Sequence, residues 1–135
     1  MYLLDTDVCI DLLSGTSPAL VRQLARRHPS EIVLCAVVKA ELLFGARSSA
    51  RVAANLALLA TFFEPFACLP FDDDCAGHYG LIRADLGRSG SPIGPNDLLI
   101  AATARTHDLT LVTRNTREFS RVVGLRVEDW SVAER

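Results

Sequence analysis

Lysine is nearly absent. Of fourteen basic residues thirteen are arginine, and Lys39 stands alone. Sixteen acids leave a formal net charge of −2, so no global positive field announces a nucleic-acid surface. Arginine favours two-point contacts to carboxylate and phosphate, which leaves local phosphate binding open beside the plainer reading of GC-rich codon bias. No two of Cys9, Cys35, Cys68 and Cys75 have the two-residue spacing of a zinc knuckle. All four lie in apolar surroundings and read as small core residues of a reduced, cytoplasmic protein. His28, His78 and His107 are scattered and suggest no metal-ligand pair. No charged-then-apolar segment opens the chain, and no apolar run approaches ~20 residues, so secretion and membrane spanning are excluded. Internal repeats, low-complexity tracts and linkers are also missing.

What remains is a chain of 135 residues, half of them hydrophobic, with a mean hydropathy of +0.24. That length is one domain, 1–135, with material for a sizeable core. The apolar fraction is high for a small monomer and points to a partner or second copy covering some of it.

Strand and helix signals alternate. Tyr2–Leu4 read as a short buried strand ending at Asp5, then a helix entered through Thr6 or Asp7 and closed at Ser14-Gly15. Ser17-Pro18 gives a cap and then proline at the first helical position, opening an amphipathic helix to near His28-Pro29. Ile32–Cys35 predict a second strand, residues 37–47 and Val52–Phe63 two apolar helices, and residues 66–70 a third strand. Asp72, Asp73 and Asp74 open a helix reaching about Gly87, with acids at the favourable end of its dipole. Residues 88–95 form a stiff loop, and Asn96 caps a helix over 97–106. Residues 109–112 predict a fourth strand, 113–119 a polar loop or short helix, and 125–127 an edge strand whose end Trp130 packs. The alternation favours an α/β fold: a mostly parallel sheet flanked by helices, with right-handed crossovers.

Two of these strands run into polar residues, Leu4 into Asp5 and Val112 into Thr113-Arg114-Asn115. In a parallel sheet both ends share one edge, where α/β sheets bind ligands. Asp97 opens the helix just before the second strand, Glu118 lies a few residues beyond Thr113, and Glu41 is the only acid of an apolar helix. Taken singly, Asp97 complements a helix dipole, Glu41 faces water and Glu118 pairs with a neighbouring arginine. Asp5, directly after a buried strand, needs a partner or a metal. Taken together, carboxylates a few ångströms apart repel, and a divalent cation removes the penalty. Oxygen ligands without cysteine or histidine suit Mg²⁺ or Mn²⁺ rather than Zn²⁺. Such ions activate water and stabilise an in-line displacement at phosphorus, which on a phosphodiester is nuclease chemistry.

Four segments resemble the PIN-domain family, and within it the VapC-type toxins, the ribonuclease halves of bacterial toxin–antitoxin pairs. LLDTDVCID at 3–11 is similar to the opening motif, and VVKAELLFGA at 37–46 to the helix with the second acid. SPIGPNDLLIAATA at 91–104 is similar to the stretch around the third acid, and LVTRNTREFSRVVGLRVEDW at 111–130 to the closing segment. The resemblance covers nearly the whole chain in order. It implies a PIN-like α/β/α fold and a Mg²⁺-dependent endoribonuclease toxin, with Mn²⁺ as a substitute, that inhibits translation in a bacterial or archaeal cytoplasm. Asp5 and Asp97 match metal-binding acids, and Glu41 matches the acid of the second motif. Glu118 stands where many relatives have Asp and some have Glu, and holds the metal, a water or a second ion. Thr113 and Asn115 match polar residues that orient the acids, and Asp7 reads as helix capping with an assisting role. Arg114, Arg117 and Arg121 flank the site, either to hold RNA phosphates or as a solvated surface paired locally with Glu118. The resemblance further implies a VapB-type antitoxin over the acidic groove, a homodimer and a toxin–antitoxin hetero-oligomer. Apolar faces on the helices of 37–63 would serve either contact. The motifs are similar to those of toxins that cut initiator tRNA in its anticodon loop, in keeping with RNA being read through exposed loops.

Two other readings compete. Asp5-Thr6-Asp7 after an apolar strand also fits aspartate-nucleophile phosphatases of the haloacid dehalogenase type, with Asp5 as nucleophile and Asp7 as acid/base. That chemistry needs a phosphate-binding lysine beyond the core strands, and only Lys39 exists, before most of the sheet. The other is a catalytically idle PIN-like binding module, against which the presence of all four acids argues.

Overall fold

In the computed structural model, residues 1–132 are described; the domain end expected at 135 lies outside them. The middle strand is β1 (Tyr2–Leu4), followed by α1 (Thr6–Ser14), α2 (Pro18–Ala25), a 3₁₀ turn (Pro29–Glu31) and β2 (Ile32–Cys35). Next come α3 (Ala36–Arg47), α4 (Val52–Phe63), β3 (Ala67–Leu69), α5 (Asp73–Arg88) and α6 (Pro95–Thr106). The described chain closes with β4 (Thr110–Val112), α7 (Thr116–Phe119) and β5 (Arg126–Glu128). The strands form one sheet in the order β3-β2-β1-β4-β5, and every pairing is parallel.

That order positions the site. From β1 the chain steps outward to β2 and β3, then returns to the other side of β1 to lay down β4 and β5. The strand order therefore reverses between β1 and β4, and at such a reversal the following segments part to leave a crevice at the carboxyl ends. Leu4 pairs with Val112, and the Asp5 N–H continues the ladder to the Val112 carbonyl at 2.9 Å. Asp5 and Thr113 thus leave the sheet side by side.

The central strands are apolar runs buried on both faces, as parallel strands under helices must be. Leu3, Leu4, Leu34, Leu111 and Val112 are fully buried. Ala101, Ala102 and Ala104 on α6 are fully buried, and α6 packs against α5. Phe119 is fully buried and anchors α7; burying a side chain of that size contributes about 2–3 kcal/mol.

Four expectations change. α2 stops at Ala25 rather than near His28-Pro29, because His28 starts its own capped turn. Its Nδ1 accepts from the Ser30 N–H at 3.1 Å, Glu31 accepts from the His28 N–H at 3.0 Å, and Pro29 cannot continue a helix. Asn96 does not cap α6; Gly94 does, and Pro95 takes the first helical position, where its missing N–H costs nothing. Asp7 is not a cap either, since Asp5 caps α1. Cys68 lies exposed on the edge strand β3, while Cys9, Cys35 and Cys75 are buried as expected. Among the described residues no helix is long and apolar enough to cross a membrane.

Candidate functional site

Acids gather where β1 and β4 end, and Asp5, Glu41 and Glu118 each accept a hydrogen bond from another element. Asp5 is only 5% exposed. Its Oδ1 accepts the Thr6 N–H at 2.8 Å as the cap of α1, and its Oδ2 accepts the Thr113 hydroxyl at 2.7 Å. Thr113, fully buried, also accepts the Asn115 N–H at 3.0 Å, so it is fixed at both ends. Burial pushes the Asp5 carboxyl up to about 7; the Thr113 bond opposes this and the Asp7 charge adds to it.

Asp97 and Glu118 form a second acidic pair. Asp97 sits in the first turn of α6, half-buried, its carboxyl pushed up to about 6 by burial and then by the charge of Glu118. Glu118 goes the other way. Its slight burial would raise it, but the Gly94 N–H at 2.9 Å and the Asn115 side-chain amide hold it below the usual glutamate range. The two carboxyls adjoin, so a proton between them resides on Asp97 and leaves Glu118 ionised. Glu41 reaches in from α3, its Oε1 accepting the Thr6 hydroxyl at 2.9 Å. Asp97 feels the charges of both Glu41 and Asp7, and Asp5 feels those of Asp7 and Asp97. All four expected acids are therefore brought to one crevice, with Thr113 and Asn115 orienting two of them.

The arginines divide. Arg114 points back at α1, its Nε 2.9 Å from Asp11 Oδ2 and 3.7 Å from Asp7 Oδ2. Arg117 and Arg121 are exposed at and beyond α7; Arg121 donates to the Pro92 carbonyl at 3.4 Å, and its charge acts on Glu118. The sequence reading passed over Thr6, Asp11 and Gly94. Asp11 carried a signal, standing four residues after Asp7 and hence on the same helical face. Lys39, the lysine a phosphatase would have to use, has its ammonium over the Phe63 ring at 4.7 Å.

The donor set fits a hard divalent cation. Burial raises the thiol of Cys9 well above its ordinary value and that of Cys35 to about 11, so both stay protonated and the pocket offers oxygen. Among the described residues no three acidic, histidine or cysteine side chains close into a ready cage. A hard ion bound among these oxygens would keep several of its own waters. Two raised carboxyls side by side give such an ion something to relieve.

Crevice, sheet order and acid placement define an α/β domain with an acidic centre at its switch point. A family model of the PIN domain matches residues 2–125, and the chain belongs to that family. It is 42% identical over 130 residues to the tRNA(fMet)-specific endonuclease VapC of Shigella flexneri, covering 96% of this chain and 98% of that protein. It is 35% identical over 129 residues to ribonuclease VapC2 of Haemophilus influenzae, covering 96% of this chain and 97% of the relative. The fold superposes on DNA-bound VapBC from Salmonella typhimurium with a TM-score of 0.90 and 35% identity, over 96% of this chain and 97% of that one. Within the PIN family the chain stands among the VapC ribonucleases.

Proposed function

We propose that this ribonuclease is a Mg²⁺-dependent endoribonuclease toxin, with Asp5, Glu41, Asp97 and Glu118 as its acidic centre and a tRNA as its substrate. The observation that carries the reading is the gathering of these acids at the β1/β4 switch point, with Asp5 and Asp97 pushed up to about 7 and about 6. Asp5 and Asp97 would hold the ion, and Glu41 and Glu118 would complete the negative pocket. Bound there, Mg²⁺ supplies an activated water and neutralises charge at the phosphodiester. Thr113 fixes the Asp5 carboxylate, and Asn115 with the Gly94 N–H keeps Glu118 ionised and oriented. Arg117 and Arg121, exposed near Glu118, would meet RNA phosphates. The name of the Shigella relative makes initiator tRNA the first substrate to test.

An antitoxin and a second copy are the expected partners. Superposable chains belong to VapBC assemblies, and one relative of 31% identity is a VapBC toxin–antitoxin system. Beside the acids runs a groove of about 410 Å³ lined by Ile10, Leu13, Leu42, Leu58 and Leu59, with Glu41 among its walls. An amphipathic antitoxin segment with a basic tail would match its apolar floor and acidic wall. Phe44, 73% exposed on α3, leaves apolar surface for a further contact.

The test is cleavage of total RNA and of initiator tRNA by antitoxin-free protein, with Mg²⁺, with EDTA, and with Asp5→Asn. Discrete cuts requiring both Mg²⁺ and Asp5 are expected. Absence of cuts from folded protein under every condition would favour the idle binding module.

A further inference from the structure

Asp7 keeps one oxygen of its carboxylate unpaired beside the pocket. Its Oδ1 is buried and accepts no hydrogen bond, although the residue lies only two positions from Asp5. The backbone N–H groups of Val8 and Arg114 act on the carboxylate, while its Oδ2 lies 3.7 Å from the Arg114 guanidinium, which Asp11 engages at 2.9 Å. A merely structural acid in the first turn of α1 would spend both oxygens on water or on the helix amides. This one turns an oxygen inward, where its charge acts on both Asp5 and Asp97. A neutral side chain at position 7 would spare that repulsion. A carboxylate oxygen buried among carboxylates and offered no donor is the arrangement that a cation, or a water bound to one, completes.

Arg114 explains how Asp7 is kept there. It follows Thr113 directly, so its backbone is fixed by the same strand end that aims Asp5. Asp11, one helical turn after Asp7, orients the guanidinium along α1. We propose that Asp7 is a further cation-holding carboxylate of this pocket, its Oδ1 taking the divalent ion or one of its waters, and that Asp11 and Arg114 form the clamp that aims it. Arg114 is then a positioning residue rather than a phosphate contact. The inference rests on the reading of the pocket as a Mg²⁺ site.

The experiment is a Mn²⁺ titration of RNA-free protein at pH 7.5, by calorimetry and by electron paramagnetic resonance. Parent, Asp5→Asn, Asp7→Asn, Asp7→Ser, Asp11→Asn and Arg114→Met are compared, each with a thermal melt in EDTA. Parent protein should bind Mn²⁺, and Asp5→Asn should abolish the tight site. Either Asp7 variant should weaken binding about tenfold or more, the range seen when groups around a metal are removed. Asp11→Asn and Arg114→Met should each weaken it severalfold. For Arg114→Met that sign is opposite to simple Coulombic expectation, since removing a positive charge should by itself tighten cation binding. Unchanged isotherms in both Asp7 variants, with only the EDTA melts moved, would make Asp7 a helix acid and overturn the proposal. Tighter binding by Arg114→Met would overturn the clamp. No Mn²⁺ binding by the parent would overturn the cation reading itself, a result distinct from either.

Discussion

Replacing Asp5 by asparagine should make the cation-free protein more stable while destroying its activity. The Asp5 carboxyl is pushed up from 3.8 to about 7, chiefly by burial. Above pH 7 the folded protein therefore carries an ionised group that the unfolded chain would hold far more comfortably. Three units at about 1.4 kcal/mol each put that penalty at about 4 kcal/mol. Asparagine keeps an oxygen for the Thr6 N–H but presents an amide to Thr113, whose hydroxyl must turn to accept it. The bonds from Thr113 and the Thr6 N–H favour the ionised form and are already counted in that shift. The net gain is about 4 kcal/mol, or about 12 °C in melting temperature for a domain of this size. The pH dependence tests the cause. Because the folded pKa lies above the unfolded one, the native state retains a proton that the unfolded chain releases between about pH 4 and about pH 7. Stability of the parent should fall as pH rises through that window, and the advantage of Asp5→Asn should open over the same range and vanish near pH 4. Melts in EDTA from pH 4 to pH 8 measure this. An Asp5→Asn protein no more stable than its parent at pH 7.5, or a gap that does not close in acid, would refute the reasoning.

Mg²⁺ should raise the melting temperature of the parent more at pH 7.5 than at pH 5, since protons compete for Asp5 and Asp97; equal shifts would count against it. Thr113→Val removes the donor to Asp5 and should lift that carboxyl further, slowing RNA cleavage roughly 10–100-fold. Partial recovery at higher pH distinguishes this from general damage. Glu118→Asp is too short for the Gly94 N–H and should speed proteolysis of residues 88–94, whereas Glu118→Gln keeps the shape, resists protease and still loses activity. Phe119→Ala should cost about 3–5 kcal/mol, with cleavage falling because α7 no longer holds Glu118.

The four acids were legible because each breaks a local pattern. Asp5 ends an apolar run, Glu41 interrupts an apolar helix, and Asp97 and Glu118 bracket the last central strand. Strand order was not legible, since a short buried run carries no label for its neighbour, and the reversal beside β1 is a property of the whole chain. The ties that aim the acids were hidden for the same reason. Thr6 meets Glu41 across 35 positions and Thr113 meets Asp5 across 108. Asn96 looked like a cap only because its side chain suits one, while Pro95 beside it fixed the true start at Gly94. Cys68 looked buried because Ala67 and Leu69 flank it, but β3 is an edge strand and leaves surface to water.

Glu118 shows why the site needs parts so far apart. In an ordinary capping box, the acid at the third helical position reaches back to the cap N–H and is used up locally. In α6 that third position is Asp97, and the cap is Gly94, with no side chain of its own. Glu118 takes the Gly94 N–H from 24 residues away. The helix end is satisfied, and Asp97 is released to face the crevice. The same contact keeps Glu118 ionised, and its charge then raises Asp97. The length of the glutamate follows from that double task, because an aspartate anchored by Phe119 in α7 falls one methylene short of Gly94. Asp97 is thus held away from its local capping role, and the mutual repulsion of the neighbouring carboxylates is what a cation would relieve.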